Sequence, residues 1–169
     1  STAESEKIHR EKRESAQAEA ARRKELTFAT IPVEVGRLRS GRIEFMLEKI
    51  REDARRRLLA RDFDYHETVV TLAAEASLQW PVADVGLKIP PTDHAVFGDK
   101  LIEEISQRAG RSPLKITISA DPEITDGGVI VQDAAGLRIW DNRLLSRLER
   151  LWPELRRQIA IQTSLVELG

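Results

Sequence analysis

The chain has 169 residues, enough for one domain and an appendage. Charged residues make up 33% and aromatic residues 5%, so its core must be modest and aliphatic. With no cysteine, a disulfide framework, a cysteine metal site and a thiol nucleophile are all excluded, which fits a reducing cytoplasm.

Charge is unevenly spread. Residues 1–60 hold 15 Lys+Arg and 11 Asp+Glu, a balance of +4, and residues 61–169 hold 12 and 17, a balance of -5. The basic residues alternate with acids, as on a solvated, salt-bridged helix rather than a nucleic-acid patch. No apolar run approaches the ~20 residues of a membrane span, and no signal-peptide pattern opens the chain. Because the chain opens on Ser1, the native N-terminus is expected upstream.

Residues 1–26 are nearly all Ser, Ala, Glu, Gln, Lys and Arg, with only Ile8 and Leu26 large and apolar. Helix propensity is high, but so little apolar surface gains little from packing. Two readings follow, a frayed or disordered tail and, favoured by the composition, one member of a pair of long helices, with Ile8, Ala16 and Ala20 on the seam and no clean heptad. Thr27–Pro32 is expected to interrupt it, since Pro32 lacks a backbone donor, and Gly36 and Gly41 weaken the turns after it. Ile43, Leu47, Ile50, Ala54 and Leu58 then recur on one helical face. Arg55-Arg56-Arg57 reads as a solvated surface.

Asp62 or Asp64 is expected to cap the next helix, whose apolar side is Val69, Val70, Leu72, Ala73, Ala76 and Leu78 and which Trp80-Pro81 ends. Val85, Leu87 and Ile89 alternate as a strand. After Pro90-Pro91, Thr92 or Asp93 opens a helix facing inward with Leu101, Ile102 and Ile105 and stopping at Gly110. Leu114, Ile116 and Ile118 form a second strand, and Asp121-Pro122 turns. Gly127-Gly128 opens a strand through Val131, Asp133–Gly136 forms a hairpin turn, and Leu137 and Ile139 lie on the returning strand. Asp141 or Asn142 is expected to cap the last helix, in which Leu144, Leu148, Leu151, Leu155 and Ile159 close the core and Pro153 imposes a kink. The order predicts an α+β fold: a charged helical stalk over 1–60, interrupted near 28–41, and a globular head over 61–169 with helices on a short mixed sheet.

Chemistry is hard to place on this pattern. His9, His66 and His94 have no metal-type partner at i+4, and Asp62-x-Asp64-x-His66 is explained by capping and exposure. Gly127-Gly128 precedes a strand, without the lysine or helix N-terminus of a phosphate loop. Neither a catalytic constellation nor a cofactor site is expected.

The stretch Gly127-Gly128-Val129-Ile130-Val131, the Trp140-Asp141-Asn142 step, Arg147-Leu148-Glu149 and Leu155-Arg156 resemble the E subunit of the A-type/V-type rotary ATPases. The likeness extends loosely through Tyr65–Ala76 and Val85–Ile89, and the charged N-terminal helix fits that family's organisation. Arg143 stands where the family usually has Thr, Ile159–Gly169 runs past its usual ending, and 28–41 fits an unbroken stalk helix poorly. The related stators of flagellar and type III secretion ATPases share the double-glycine strand, and the Trp140-Asp141-Asn142 step favours the rotary branch.

The resemblance implies a non-catalytic peripheral stalk subunit without cofactor or metal, cytoplasmic and tied to the membrane only through its complex. It implies an N-terminal helix paired with a second stalk subunit of G/H type and a head docked on the B subunit of the catalytic hexamer. Gly127, Gly128, Asp141, Asn142, Arg143, Arg147 and Arg150 mark the docking region in this reading. The alternatives are a secretion-ATPase stator and, in another class, a nucleic-acid-binding adaptor using the basic helix.

Overall fold

A computed structural model describes residues 1–79, 83–110 and 115–163. Its elements are α1 (Thr2–Ala60), α2 (Tyr65–Leu78), β1 (Asp84–Ile89), α3 (Pro91–Phe97), α4 (Lys100–Ala109), β2 (Lys115–Ala120), β3 (Gly128–Asp133), β4 (Ile139–Arg143) and α5 (Leu144–Gln162). This is the expected α+β architecture. The chain divides into two compact units, Ser1–Met46 and Leu47–Gly169.

The first unit is helix almost from its first residue, and the expected interruption near 28–41 is absent. Pro32 removes one amide donor, and the orphaned carbonyl is that of Phe28, in an exposed turn where water can satisfy it. Thr27 and Thr30 donate their hydroxyls to the carbonyls of Arg23 and Thr27, at 2.8 and 2.9 Å, so both find hydrogen-bond partners within the helix. Every side chain from Ser1 to Arg42 is exposed.

The second unit is built on a mixed sheet of order β2-β1-β3-β4. β1 and β2 are parallel, and β1–β3 and β3–β4 are antiparallel. Parallel neighbours require a crossover, and α3 and α4 supply it. Val85, Leu87, Ile89, Ile116, Val129 and Val131 are buried with the apolar sides of α2 and α4. The alternation seen in the sequence therefore carries through to the core, since successive strand residues face opposite sides of a sheet. α1 contributes the buried Leu47 and the partly buried Leu58 to this unit.

Local chemistry explains most boundaries. Asp64 caps α2, its carboxylate accepting from the Glu67 amide at 3.1 Å. Gly110 closes α4 in a left-handed conformation, as expected. Four expectations change. The single helix after Pro90 is two, separated at Gly98 and Asp99. Asp93 does not cap it; Pro91 starts α3, and Asp93 is buried within it. Leu78 is half-exposed at the end of α2 rather than on its buried side, and Leu137 lies in the hairpin turn, 86% exposed. Trp80-Pro81 and Leu114 lie outside the described residues.

Candidate functional site

The double glycine sits where the first strand of the terminal hairpin meets the start of α5, and both residues are buried. Gly127 and Gly128 have φ of 91° and 89°. A Cβ on Gly128 would stand 2.6 Å from the Asn142 carbonyl and 2.8 Å from the Arg143 Cα, and one on Gly127 would stand 2.9 Å from the Tyr65 hydroxyl. Both the backbone angle and the close approach of β4 therefore demand glycine at 128. The Gly127 carbonyl accepts the Leu144 amide at 3.1 Å, which ties the strand opening to the first residue of α5.

Above the glycines is a buried polar relay. The Gly128 amide donates to the Tyr65 hydroxyl at 3.0 Å, and that hydroxyl donates to Asp93. Asp93, 2% exposed, also receives the Arg61 guanidinium at 2.8 Å, and that guanidinium lies 3.9 Å from the Tyr65 ring centroid. Arg61 reaches it from a left-handed backbone conformation, φ 55°, directly after α1. Burial and the hydrogen bond to Asp93 push the Tyr65 phenol well above its ordinary range, so it stays a neutral donor. The relay joins the end of α1 to α2, α3 and β3. It is a clamp with no approachable reacting group.

The second cluster surrounds Asn142, which is fully buried. Its amide donates to the Leu72 carbonyl at 3.0 Å, and its side-chain oxygen accepts from the Trp140 indole at 3.0 Å and Arg150 at 2.7 Å. Arg150 also donates to the Asp141 carbonyl at 2.7 Å and lies 5.4 Å from the Trp140 ring centroid. Asp141 accepts from the Arg143 amide and guanidinium. Burial raises the Asp141 carboxyl, but hydrogen bonds from Arg143 and Ser146 together outweigh it and hold the group below the usual carboxylate range.

Neither Asp141 nor Asn142 is the cap expected of it; both are strand residues of β4. The N-cap position of α5 is Arg143, and a distant side chain supplies the capping bond: Asp126 accepts the Leu145 amide at 2.9 Å. Nor does α5 close the core along its whole stripe. Leu144 joins the core, Leu148, Leu155 and Ile159 are half-buried, and Leu151 is 40% exposed. With Ala54, Leu58 and Leu72, the leucines of α5 line an open groove of about 500 Å³. Pro153 stands inside α5 without ending it.

Of the seven residues expected to mark a docking region, Gly127, Gly128 and Asn142 are therefore interior and shape the surface without forming it. Asp141 and Arg143 are about one-third exposed, and Arg147 is paired with Glu75 at 3.4 Å. Arg150 is exposed and tethered from below by the Asn142 cluster. Ile8, Ala16 and Ala20 lie exposed on α1. Tyr65, Asp93 and Arg61 were not visible as a site in the sequence, because their partners are far away along the chain. Among the described residues, His66 is bonded to Glu104 at 2.5 Å, Asp62 to Arg57 at 3.3 Å, and no acidic or histidine group is arranged to hold a metal ion. No described helix is long and apolar enough to cross a membrane.

No family model matches the chain. The A-type ATP synthase E subunit of Thermococcus kodakarensis is 30% identical to it over 137 residues, which cover 79% of this chain and 66% of that protein. The chain belongs to the E subunit family. Its likeness to that relative is longer than either compact unit, so it takes in part of the helix as well as most of the sheet of the head.

Proposed function

We propose that the chain is a non-catalytic peripheral stalk subunit of an A-type rotary ATPase, in which α1 pairs with a second stalk subunit of G/H type and the head docks on the B subunit of the catalytic hexamer. The observation that carries this reading is an E subunit likeness spanning both helix and head. The division of labour is 1–60 as stalk and 61–169 as head, with the last turns of α1 also helping to build the head. The helix suits the role because it is long, charged on many sides and exposed, so it can run through solvent and take a partner along its length. The head suits it because a polar relay and a strand–helix junction fix its surface, which must hold still under torque. Arg143, Arg147 and Arg150, presented at the end of β4 and along α5, are the docking side chains in this reading. The subunit transfers no group itself and meets the membrane only through the complex, on its cytoplasmic side.

The test is reconstitution of the purified chain with A-type catalytic subunits and the second stalk subunit, followed by size-exclusion chromatography. The expected result is co-elution that needs both the helix and the head. Elution apart from the catalytic subunits under all conditions, or preferential assembly with a flagellar or type III secretion ATPase, would overturn it.

A further inference from the structure

The two edges of the sheet are finished differently. In β4, Arg138 and Leu144 bond to β3 at either end, so ladder alternation turns the main-chain groups of Ile139, Asp141 and Arg143 outward. That edge is partly closed. Arg150 donates to the Asp141 carbonyl at 2.7 Å, and the Arg143 amide donates to the Asp141 carboxylate at 3.0 Å. β2 is the other edge. The Lys115 and Asp121 amides donate to the carbonyls of Ala83 and Ile89, each at 2.8 Å. The amides and carbonyls of Ile116, Ile118 and Ala120 therefore point away from β1. No group among the described residues meets them. β2 has no proline, pairs with β1 without a bulge, and carries one charge, Lys115, at its start. The devices that usually blunt an edge strand are missing from it.

The side chains of this edge match a second copy of themselves. Antiparallel pairing with Ile118 opposite the partner's Ile118 brings all three outward residues of each strand into hydrogen-bonding positions. On the face opposite the buried Ile116, Thr117 then meets the partner's Ser119, and Lys115 meets the partner's Asp121. Each of these pairs occurs twice, as two-fold symmetry requires. Asp121 accepts the Glu123 amide at 3.0 Å through one carboxylate oxygen, which leaves the other for the lysine. Lys115 has no ion pair among the described residues. Parallel pairing in register would set lysine beside lysine and aspartate beside aspartate, which is destabilising. A slip of one residue would put opposite faces together, and a slip of two would lose both ion pairs. We propose that two copies of the chain join edge to edge through β2, antiparallel and centred on Ile118, into one continuous sheet. About six main-chain hydrogen bonds close the contact, and Lys115 with Asp121 sets its direction and register. The contact is small, so it makes a weak, reversible dimer of heads that are already folded. The inference goes beyond the stalk reading and does not rest on it.

The experiment uses the full chain alone, in sedimentation velocity over a concentration series up to about 0.5 mM, the range in which weak dimers form. Three variants are compared, with folding checked by circular dichroism. Ala120→Pro removes one outward amide at an exposed position. Lys115→Glu and Asp121→Lys each set like charges across the contact. The expected result is a concentration-dependent dimer, weakened about tenfold or more in each variant by itself. Mixing Lys115→Glu with Asp121→Lys is expected to restore it, because the mixed pair sets glutamate against lysine on one side and lysine against aspartate on the other. The two charge variants decide the matter even if Ala120→Pro fails to fold. A monomer throughout the series would overturn the proposal. So would a dimer that all three variants leave unchanged, which another surface must then hold, or a mixture no tighter than its components. Register is read by cysteine, which the chain lacks. Thr117→Cys mixed with Ser119→Cys is expected to give a disulfide-linked dimer faster than either variant alone, and no such difference would count against this register. Because no other subunit is present, a failure here leaves the stalk reading untouched.

Discussion

The two units of this chain satisfy their polar groups in opposite ways. In the helix of Ser1–Met46, charges face water and pair, where they pair, with neighbours three or four residues away, such as Arg23 with Glu19 and Arg37 with Glu34. Pairs of this exposed kind contribute only about 0.3–0.5 kcal/mol each. In Leu47–Gly169, the decisive polar groups are buried and meet partners 28 to 70 residues away, as Tyr65 does with Asp93 and Asn142 with Leu72. A local pattern of weak, exposed pairs adds little to the stability of a helix. Long-range buried bonds fix one arrangement of a small head whose aliphatic core is modest. The difference is what the proposed stalk role calls for, one adaptable arm and one rigid end.

The same substitution applied to both units gives the largest contrast. Gly128→Ala is expected to destabilise the head by about 3–5 kcal/mol, since it combines left-handed strain with a clash against the β4 backbone. Gly36→Ala, in open space on α1, is expected to raise helicity by up to about 1 kcal/mol of local propensity without moving the unfolding midpoint of the head. Urea denaturation followed by near- and far-ultraviolet circular dichroism separates the two, and a harmless Gly128→Ala would break the contrast.

Asn142→Ala probes the second cluster. It strands the Leu72 carbonyl, the Trp140 indole and part of Arg150, and a loss of about 2–3 kcal/mol is expected in the same titration. Tyr65→Phe is smaller. It keeps the ring and removes the hydroxyl between Asp93 and the Gly128 amide, for a loss of about 1–3 kcal/mol.

The smallest effect is on pH dependence. The folded Asp141 carboxyl lies below its unfolded value, so its contribution to stability is present above about pH 4 and is lost as pH falls through the folded value. Asp141→Asn should flatten that acid limb slightly. The effect is modest because the side chain is about one-third exposed and solvent screens it. A variant with an unchanged acid limb would remove Asp141 from the account.

The sequence announces the parts of this fold whose signals are local. Val85, Leu87 and Ile89 alternate because one sheet face is buried, Asp64 caps a helix three residues ahead, and Gly110 ends one. The buried relay gives no such signal. Tyr65, Asp93 and Gly128 are each ordinary in their own neighbourhood and acquire meaning only when α2, α3 and β3 converge. Asp141-Asn142 misleads for a related reason, since an Asp-Asn step before a leucine-periodic run is what a helix cap looks like. The pairing of Ile130 with Asp141 and of Val129 with Asn142 shows that it belongs to the hairpin. Pro32 misleads in the opposite direction. A proline breaks a helix when the orphaned carbonyl has no partner, and here it faces water.

The central claim is that the arm is completed by a partner while the head is complete in itself. Hydrogen–deuterium exchange of the full chain, alone and with the second stalk subunit, tests this most directly. The account predicts fast exchange over residues 1–46 in the free chain, new protection within 1–46 on binding, and an unchanged, slowly exchanging sheet around Val129 and Val131. Protection gained in the head with none in 1–46 would contradict it.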